Sequence, residues 1–232
     1  MNNRLVNWLI FFSVSFIWGS SFILMKEGLK NLSAFEVASI RIVTSGLVLF
    51  PVFISSLTEI ARKKLGLVFL SGLLGSFFPA YLFCIAEGSV DSALAGTLNS
   101  LTPVFVLFTG MVFWRTQISG NMILGVAVAF LGSILLFFSQ KNIIHHSNLL
   151  HVFLIILASF CYGLNVNLVQ RYLSGIPSLK IVSMALFFCA IPAFFILFFS
   201  GFFKRELLNH EILSSIGYAS LLGLGGTRNV WS

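Results

Sequence analysis

Charged residues are scarce in this chain of 232 residues. Asp, Glu, Lys and Arg make up 9% of the sequence, whereas hydrophobic residues make up 58% and the mean hydropathy is +1.00. Soluble domains carry about a quarter of their residues as charges, so this composition excludes a soluble chain. The 14 basic residues outnumber the 7 acidic ones, but they are scattered between apolar runs. They form no basic face, and nucleic-acid binding is not expected.

Cysteine and histidine are equally rare. The three cysteines lie inside apolar runs, and the four histidines lie in or beside loops without a carboxylate at ligand spacing. This pattern excludes a disulfide framework and predicts no metal or other cofactor. The sequence also lacks paired carboxylates and a Gly-x-Ser-x-Gly turn, and no histidine accompanies Ser20 within a span. An intramembrane enzyme is therefore not expected.

Long apolar runs are what the sequence does contain. A helix needs about 20 mostly apolar residues to cross a bilayer. Seven segments meet this length, at about 8–25, 35–57, 66–86, 93–114, 120–138, 149–168 and 179–203. An eighth begins near Ile212 and is interrupted after Leu224 by two glycines and Arg228. Because the connections are short and only helices satisfy the backbone in lipid, the sequence predicts an all-α polytopic membrane bundle of seven to eight spans.

The basic residues give the expected orientation. The cluster Arg62-Lys63-Lys64 favours a cytoplasmic amino terminus by the excess of positive charge on that side. Span one is followed by Lys26-Glu27-Gly28 rather than by a small-residue cleavage site, so it is predicted to be a retained helix. We expect a multi-pass protein of a cell membrane, the bacterial inner membrane in particular.

The sequence contains an internal repeat. An offset of 144 places Ser15–Gly19 on Ser159–Gly163 and continues without a gap to residue 39, with six identities in 25 positions. An offset of 151 then places 71–76 on 222–227. Five spans separate the copies, and five is odd, so the repeats are predicted to be inverted. Inverted repeats are typical of secondary transporters, whose substrate site lies at the repeat interface near the bilayer midplane.

The repeat also predicts the domain organisation. We expect a first five-helix repeat at 1–140, a linker at 141–148 and a second repeat at 149–232. In the first copy 64 residues follow Gly75 up to Ser139, whereas six follow Gly226. The second repeat is therefore expected to be incomplete, with room for two more spans of a ten-helix parent. A chain shortened in this way leaves a second interpretation open, that of an inactive remnant or a non-transporting membrane subunit.

Several motifs resemble the EamA-type permeases of the drug/metabolite transporter superfamily. They are Trp18-Gly19-Ser20-Ser21-Phe22, the segment 34–41, Ser92-Ala93-Leu94-Ala95-Gly96 leading to Leu101-Thr102-Pro103-Val104-Phe105, and Gly125 with Leu131-Gly132. The resemblance covers essentially the whole chain, although Thr116 stands where the family commonly has an acidic residue. It implies an inner-membrane carrier of two inverted five-helix repeats with cytoplasmic termini. Such carriers move amino acids, metabolites or drugs, usually outward, by alternating access.

Polar residues inside spans are candidate substrate contacts, because they are costly in lipid. Asn165 and Asn167 point about 200° apart on one helix, and the repeat aligns Asn165 with Ser21, which favours Asn165. The alternative is an interhelical hydrogen bond of about 0.6 kcal/mol.

Span four offers a second group of candidates. Asn99 and Thr102 share one helix face, and Pro103 frees the carbonyl of Asn99. This combination predicts a polar pocket. The alternative is a packing kink in which Thr102 bonds its own backbone.

Aromatic residues and one carboxylate complete the predicted site. Trp18 and Tyr162 are equivalent in the two repeats and are interpreted, with Ser21 and Tyr81, as cavity lining. The alternative is ordinary helix packing. Glu87, just after span three, is the candidate for proton coupling, and its alternative is a hydrated helix end.

Overall fold

The computed structural model describes residues 3–117, 119–139, 149–204 and 209–228, and these residues contain helices and no strand. The α-helices, in chain order, are α1 (Asn3–Gly28), α2 (Ala34–Val48), α3 (Phe50–Ser56), α4 (Leu65–Gly72), α5 (Phe78–Glu87), α6 (Ser92–Asn99), α7 (Thr102–Trp114), α8 (Gly120–Ser139), α9 (Leu149–Tyr172), α10 (Ser178–Phe199) and α11 (His210–Arg228). A π-helix, Leu73–Phe77, joins α4 to α5. Short 3-10 helices occupy Arg62–Lys64 and Phe202–Lys204.

Among the described residues, four helical stretches are long and apolar enough to cross a membrane. They are Arg62–Glu87, Ser92–Trp114, Leu149–Tyr172 and Ser178–Phe199. Helices α2 and α3 make a fifth if they are one span bent by 59°. Pro51 explains the bend, because it has no N–H for the carbonyl of Leu47 and cannot continue a straight helix. The described part of the chain is thus all-helical and contains four to five apolar spans by length and composition. The higher count of seven to eight stays a prediction.

The chain divides into two compact units that do not follow the order of the sequence. The first unit comprises residues 1–60 and 177–232, and the second comprises 61–176. These units are defined by contacts in space, whereas the predicted domains 1–140 and 149–232 are defined by the sequence repeat. The predicted linker 141–148 lies outside the described residues.

In the first unit, α2 packs against both α10 and α11, and α1 packs against α11. The start of α2 is fixed by a capping box, in which Glu36 N–H donates to Ser33 Oγ and Ser33 N–H donates to Glu36 Oε2. Such a box satisfies two backbone donors that would otherwise lie unpaired at a helix start. Farther along α2, Ser45 Oγ donates to the carbonyl of Gly223 at 2.9 Å. Close contact with small residues therefore holds α11 on α2.

In the second unit, α9 is the central helix and packs against α5, α6, α7 and the π-helix. Gly163 allows its closest approach to α7. A Cβ atom at Gly163 would lie 2.7 Å from the carbonyl carbon of Phe105, a distance that no side chain tolerates. This arrangement turns the polar side chains of α9 toward neighbouring helices of the same unit, and most of the predicted site lies there.

Candidate functional site

The predicted site residues fall in both units. The second unit holds Tyr81, Glu87, Asn99, Thr102, Pro103, Tyr162 and Asn165, whereas Trp18 and Ser21 belong to α1 in the first unit.

Asn165 on α9 is tied to the end of α4. Ser71 Oγ donates a hydrogen bond of 2.7 Å to Asn165 Oδ1. Ser71 is buried, and Asn165 is half-buried. Within the described part of the chain, no acceptor bonds Asn165 Nδ2. The carboxamide is therefore held at its oxygen, while its N–H donors face no protein partner.

The π-helix Leu73–Phe77 lies beside this carboxamide, and its sequence explains its geometry. The N–H of Phe78 donates to the carbonyl of Leu73, five residues earlier. Pro79 follows and has no N–H for the carbonyl of Gly75, so the regular α-helical pattern cannot continue through this segment. Single π-helical turns occur frequently at functional sites. Gly75 lies in this turn, and a Cβ there would overlap Asn165 Nδ2 and lie 2.8 Å from Asn165 Cγ.

Asn167 has a different environment, although it is only two residues from Asn165. Its Nδ2 lies 2.8 Å from the carbonyl oxygen of Val106, 3.0 Å from Thr109 Oγ1 and 3.1 Å from the carbonyl oxygen of Gly163. The residue is buried, and a Cβ at Gly110 would lie 2.9 Å from its Oδ1. Asn167 thus joins α9 to α7, which is the structural role that an interhelical amide commonly has in a membrane.

Aromatic rings of the second unit also lie in contact. Tyr162 on α9 stacks on Phe83 of α5, with ring centroids 6.1 Å apart and planes 28° apart. Tyr81 is buried against Phe77, with centroids 4.9 Å apart. These pairs join α9, α5 and the π-helix by ordinary aromatic packing. The cavity-lining role of Tyr81 and Tyr162 stays a prediction.

The polar residues of span four lie at a break in the helix, where Thr102 is hydrogen-bonded to Asn99. Helix α6 ends at Asn99 and α7 begins at Thr102, so the span is interrupted where Pro103 predicts a kink. Thr102 Oγ1 donates to the Asn99 carbonyl at 2.8 Å and lies 3.3 Å from Asn99 Oδ1. The Asn99 carbonyl, which Pro103 leaves without an N–H donor, therefore accepts a hydrogen bond from Thr102 in the same span. Substrate binding by these three residues stays a prediction.

Glu87 is the last residue of α5 and is 1% exposed. The sequence alone left open a hydrated carboxylate at a helix end, and this burial does not fit that alternative. A carboxylate in an apolar segment is rare unless it has a function. Within the described residues, no group of three His, Cys, Asp or Glu side chains is placed to hold a metal ion.

The two site residues of the first unit lie on α1. Trp18 is exposed, and Ser21 Oγ donates to the carbonyl of Ile17 in its own helix at 2.9 Å. A hydroxyl bonded in this way satisfies itself locally and joins no second helix. Ser21, which the predicted repeat aligns with Asn165, therefore makes no comparable bond between helices.

Sequence reasoning missed Ser71 and Gly75 as neighbours of Asn165. Pro79 was the sequence signal for the π-helix, because it leaves the carbonyl of Gly75, four residues earlier, without its N–H donor. Pro103 has the same relation to Asn99 in span four, where it predicts the break. No local pattern indicated Ser71, which lies 94 residues from Asn165 along the chain.

With this geometry in place, a family comparison decides the class of the protein. A model described as the EamA-like transporter family matches residues 7–138, more than half of the chain. The chain belongs to the EamA-like transporter family. The resemblance inferred from the motifs is therefore confirmed, and the matched EamA-like region covers the segments predicted as spans one to five.

Similar proteins carry transporter names. The chain is 25% identical to an "Uncharacterized transporter" of Archaeoglobus fulgidus over 187 residues, covering 81% of this chain and 66% of the relative. It is 24% identical to the "Uncharacterized transporter YdfC" of Bacillus subtilis, with 89% and 67% covered. It is 26% identical to a "Probable amino-acid metabolite efflux pump" of Escherichia coli, with 76% and 57% covered. This EamA-like chain thus spans between about half and two thirds of these relatives.

Proposed function

We propose that this chain is a secondary transporter that exports small polar or amphipathic metabolites, such as amino acids or drugs, by alternating access at the interface of two inverted repeats. Family membership supports membrane transport, and one relative's name includes amino-acid efflux. The repeats would be residues 1–140 and 149–232, and the protein would be a multi-pass protein of the bacterial inner membrane with a cytoplasmic amino terminus. Contacts between positions that the sequence repeat makes equivalent support the mechanism.

The helix ends support this equivalence. Helix α1 ends at Gly28 and α9 ends at Tyr172, while α2 begins at Ala34 and α10 begins at Ser178. Each second position follows the first by 144 residues, the offset that the sequence repeat predicts. Loops of equal length therefore join the first two helices of each proposed repeat.

A contact inside the first unit supports it further. Gly46 on α2 and Ala190 on α10 are equivalent at the same offset, and a Cβ at Gly46 would lie 2.8 Å from the Ala190 Cβ. Contact between equivalent positions is what a two-fold axis produces. An apolar groove of about 330 Å³ follows this contact, and its lining includes the equivalent pairs Val43 with Phe187 and Leu47 with Ile191.

The helix contacts inside each unit agree with the same repeat offsets. Helix α1 packs against α11 in the first unit, and α9 packs against α4, the π-helix and α5 in the second. By the sequence offsets, α9 is equivalent to α1, and α11 is equivalent to residues 59–77, which contain α4 and the π-helix. The first span of each repeat thus contacts the third span of the other. In the proposed arrangement a repeat interface would therefore run through the second unit, where Ser71 bonds Asn165.

We assign substrate binding to this interface. Asn165, Tyr162 and Tyr81 would contact the substrate from α9 and span three. Asn99, Thr102 and Pro103 of the same unit complete this set. Trp18 and Ser21 of α1 belong to the first unit, and their cavity-lining role stays a prediction. The buried Glu87 would take up and release the coupling proton.

Counterflow into proteoliposomes tests the proposal. The purified chain is reconstituted, the vesicles are loaded with unlabelled amino acids, and uptake of labelled amino acids is followed, with protein-free vesicles as the control. We expect saturable uptake that the same unlabelled amino acid inhibits and that Asn165→Ala weakens. If the reconstituted chain keeps its helical circular dichroism spectrum and uptake equals that of protein-free vesicles, the alternative of a non-transporting membrane subunit replaces the proposal.

A further inference from the structure

The two asparagines of α9 differ in which of their atoms are available. An asparagine carboxamide has an oxygen acceptor and two N–H donors. In Asn167, three acceptors surround the donors. In Asn165, the protein bonds the oxygen through Ser71 Oγ. Within the described residues, its Nδ2 has no such acceptor.

Gly75 sets where this carboxamide lies. Because glycine has no side chain, the carboxamide rests directly against the π-helix. A Cβ at this position would overlap Asn165 Nδ2 and lie 2.8 Å from Cγ, so a side chain there would cover the N–H donors. Ser71 Oγ donates to Oδ1, and this bond leaves Nδ2 on the side of Gly75. The hydroxyl and the glycine therefore define both the position of the carboxamide and the direction of its N–H donors.

We propose that Ser71 and Gly75 are positioning residues, which present the N–H donors of Asn165 to the substrate and make the site selective for a hydrogen-bond acceptor, a carboxylate or carbonyl. The inference rests on the proposed transport function, because it assigns to Asn165 the binding of one chemical group of the substrate. It predicts that an amino acid binds and that the amine lacking its carboxylate does not. An ammonium group is a donor only, so it cannot pair with the amide hydrogens.

Counterflow with matched substrates tests the selectivity. The amino acid that wild type takes up fastest is compared with its decarboxylated amine, first as labelled substrates and then as additives in thermal unfolding. We expect the amino acid to be preferred by about tenfold or more, because hydrogen bonds to charged groups are the stronger ones. We also expect it alone to raise the unfolding temperature, since a ligand that binds the folded state stabilises it.

Variants of Ser71 test the positioning, with Thr109 as the matched control because it bonds Asn167 in the same way. In Ser71→Ala the carboxamide is free to rotate, so we expect KM to rise about fivefold, the maximal rate to stay, and the preference over the amine to fall. Ser71→Thr keeps the hydroxyl and should restore KM. Gly75→Ala should raise KM in the same way. Thr109→Ala should leave KM and the preference unchanged, because Asn167 keeps its two carbonyl acceptors.

The outcomes separate this inference from the proposed function. Uptake of the amine as fast as the amino acid, or equal KM and equal preference in Ser71→Ala and Thr109→Ala, would overturn the inference and leave transport intact. A wild-type chain that neither takes up any amino acid nor is stabilised by one would overturn both.

Discussion

Replacing each asparagine of α9 by alanine should separate stability from substrate binding. Asn167 is buried, and its Nδ2 has two hydrogens for three nearby acceptors, so it makes two good hydrogen bonds at a time. Interhelical hydrogen bonds in membranes average about 0.6 kcal/mol and reach about 1.7 kcal/mol. Asn167→Ala should therefore lower the free energy of unfolding by about 1 to 3 kcal/mol. Asn165 has one such bond, to Ser71, and Asn165→Ala should cost about 0.6 kcal/mol.

These energies give a measurable difference. In a chain of this size, 1 kcal/mol shifts the unfolding temperature by about 2 to 4 °C. We expect Asn167→Ala to lower it by about 2 to 12 °C and Asn165→Ala by about 1 to 2 °C, measured by circular dichroism in detergent. Below both transitions, Asn165→Ala should lose substrate affinity while Asn167→Ala keeps it. Equal losses of stability, or a greater loss in Asn165→Ala, would refute the assignment of Asn167 as the structural residue.

Three further substitutions test separate parts of the account. Gly163→Ala should destabilise the chain by about 1 to 3 kcal/mol in thermal unfolding, because the new Cβ meets the backbone of Phe105. Gly19→Ala, where no atom lies within 4 Å, is its control, and equal stability of the two variants would contradict the close approach. Glu87→Gln should preserve helicity and abolish the dependence of flux on a proton gradient; unchanged dependence would remove Glu87 from coupling. Gly46→Leu should separate α2 from α10 and lower the unfolding temperature by several degrees, and an unchanged temperature would count against that contact.

Local sequence signals predicted much of the helical framework. The apolar run at 149–168 became part of one continuous helix, α9, whereas the capping pair Ser33 and Glu36, which fixes the start of α2, was not among the predicted features. Proline positions mark the interruptions, but their consequences differ. Pro51 accompanies a 59° bend, and Pro79 follows a π-helix. A proline in sequence shows which carbonyl loses its donor, whereas the surrounding packing decides how the helix adapts.

The site was less predictable, for a physical reason. The sequence indicated that at most one of Asn165 and Asn167 faces a cavity, and the repeat favoured Asn165. What distinguishes the two residues in the structure is the hydrogen-bonding partner on another helix. Ser71 and Thr109 are distant from them along the chain, so tertiary contacts, which no periodicity encodes, determine which atoms stay available.

The most direct test of the inverted repeats is the sidedness of two equivalent loops. Lys30 follows α1, and Ser174 follows α9, 144 residues later; both are exposed. In a background whose native cysteines, Cys84, Cys161 and Cys189, are replaced by alanine, Lys30→Cys and Ser174→Cys are each labelled with a membrane-impermeant maleimide in intact cells and in inverted vesicles. The account predicts that one position is labelled only from outside and the other only from inside. Labelling of both positions from the same side would contradict inverted repeats and, with them, the proposed alternating-access mechanism.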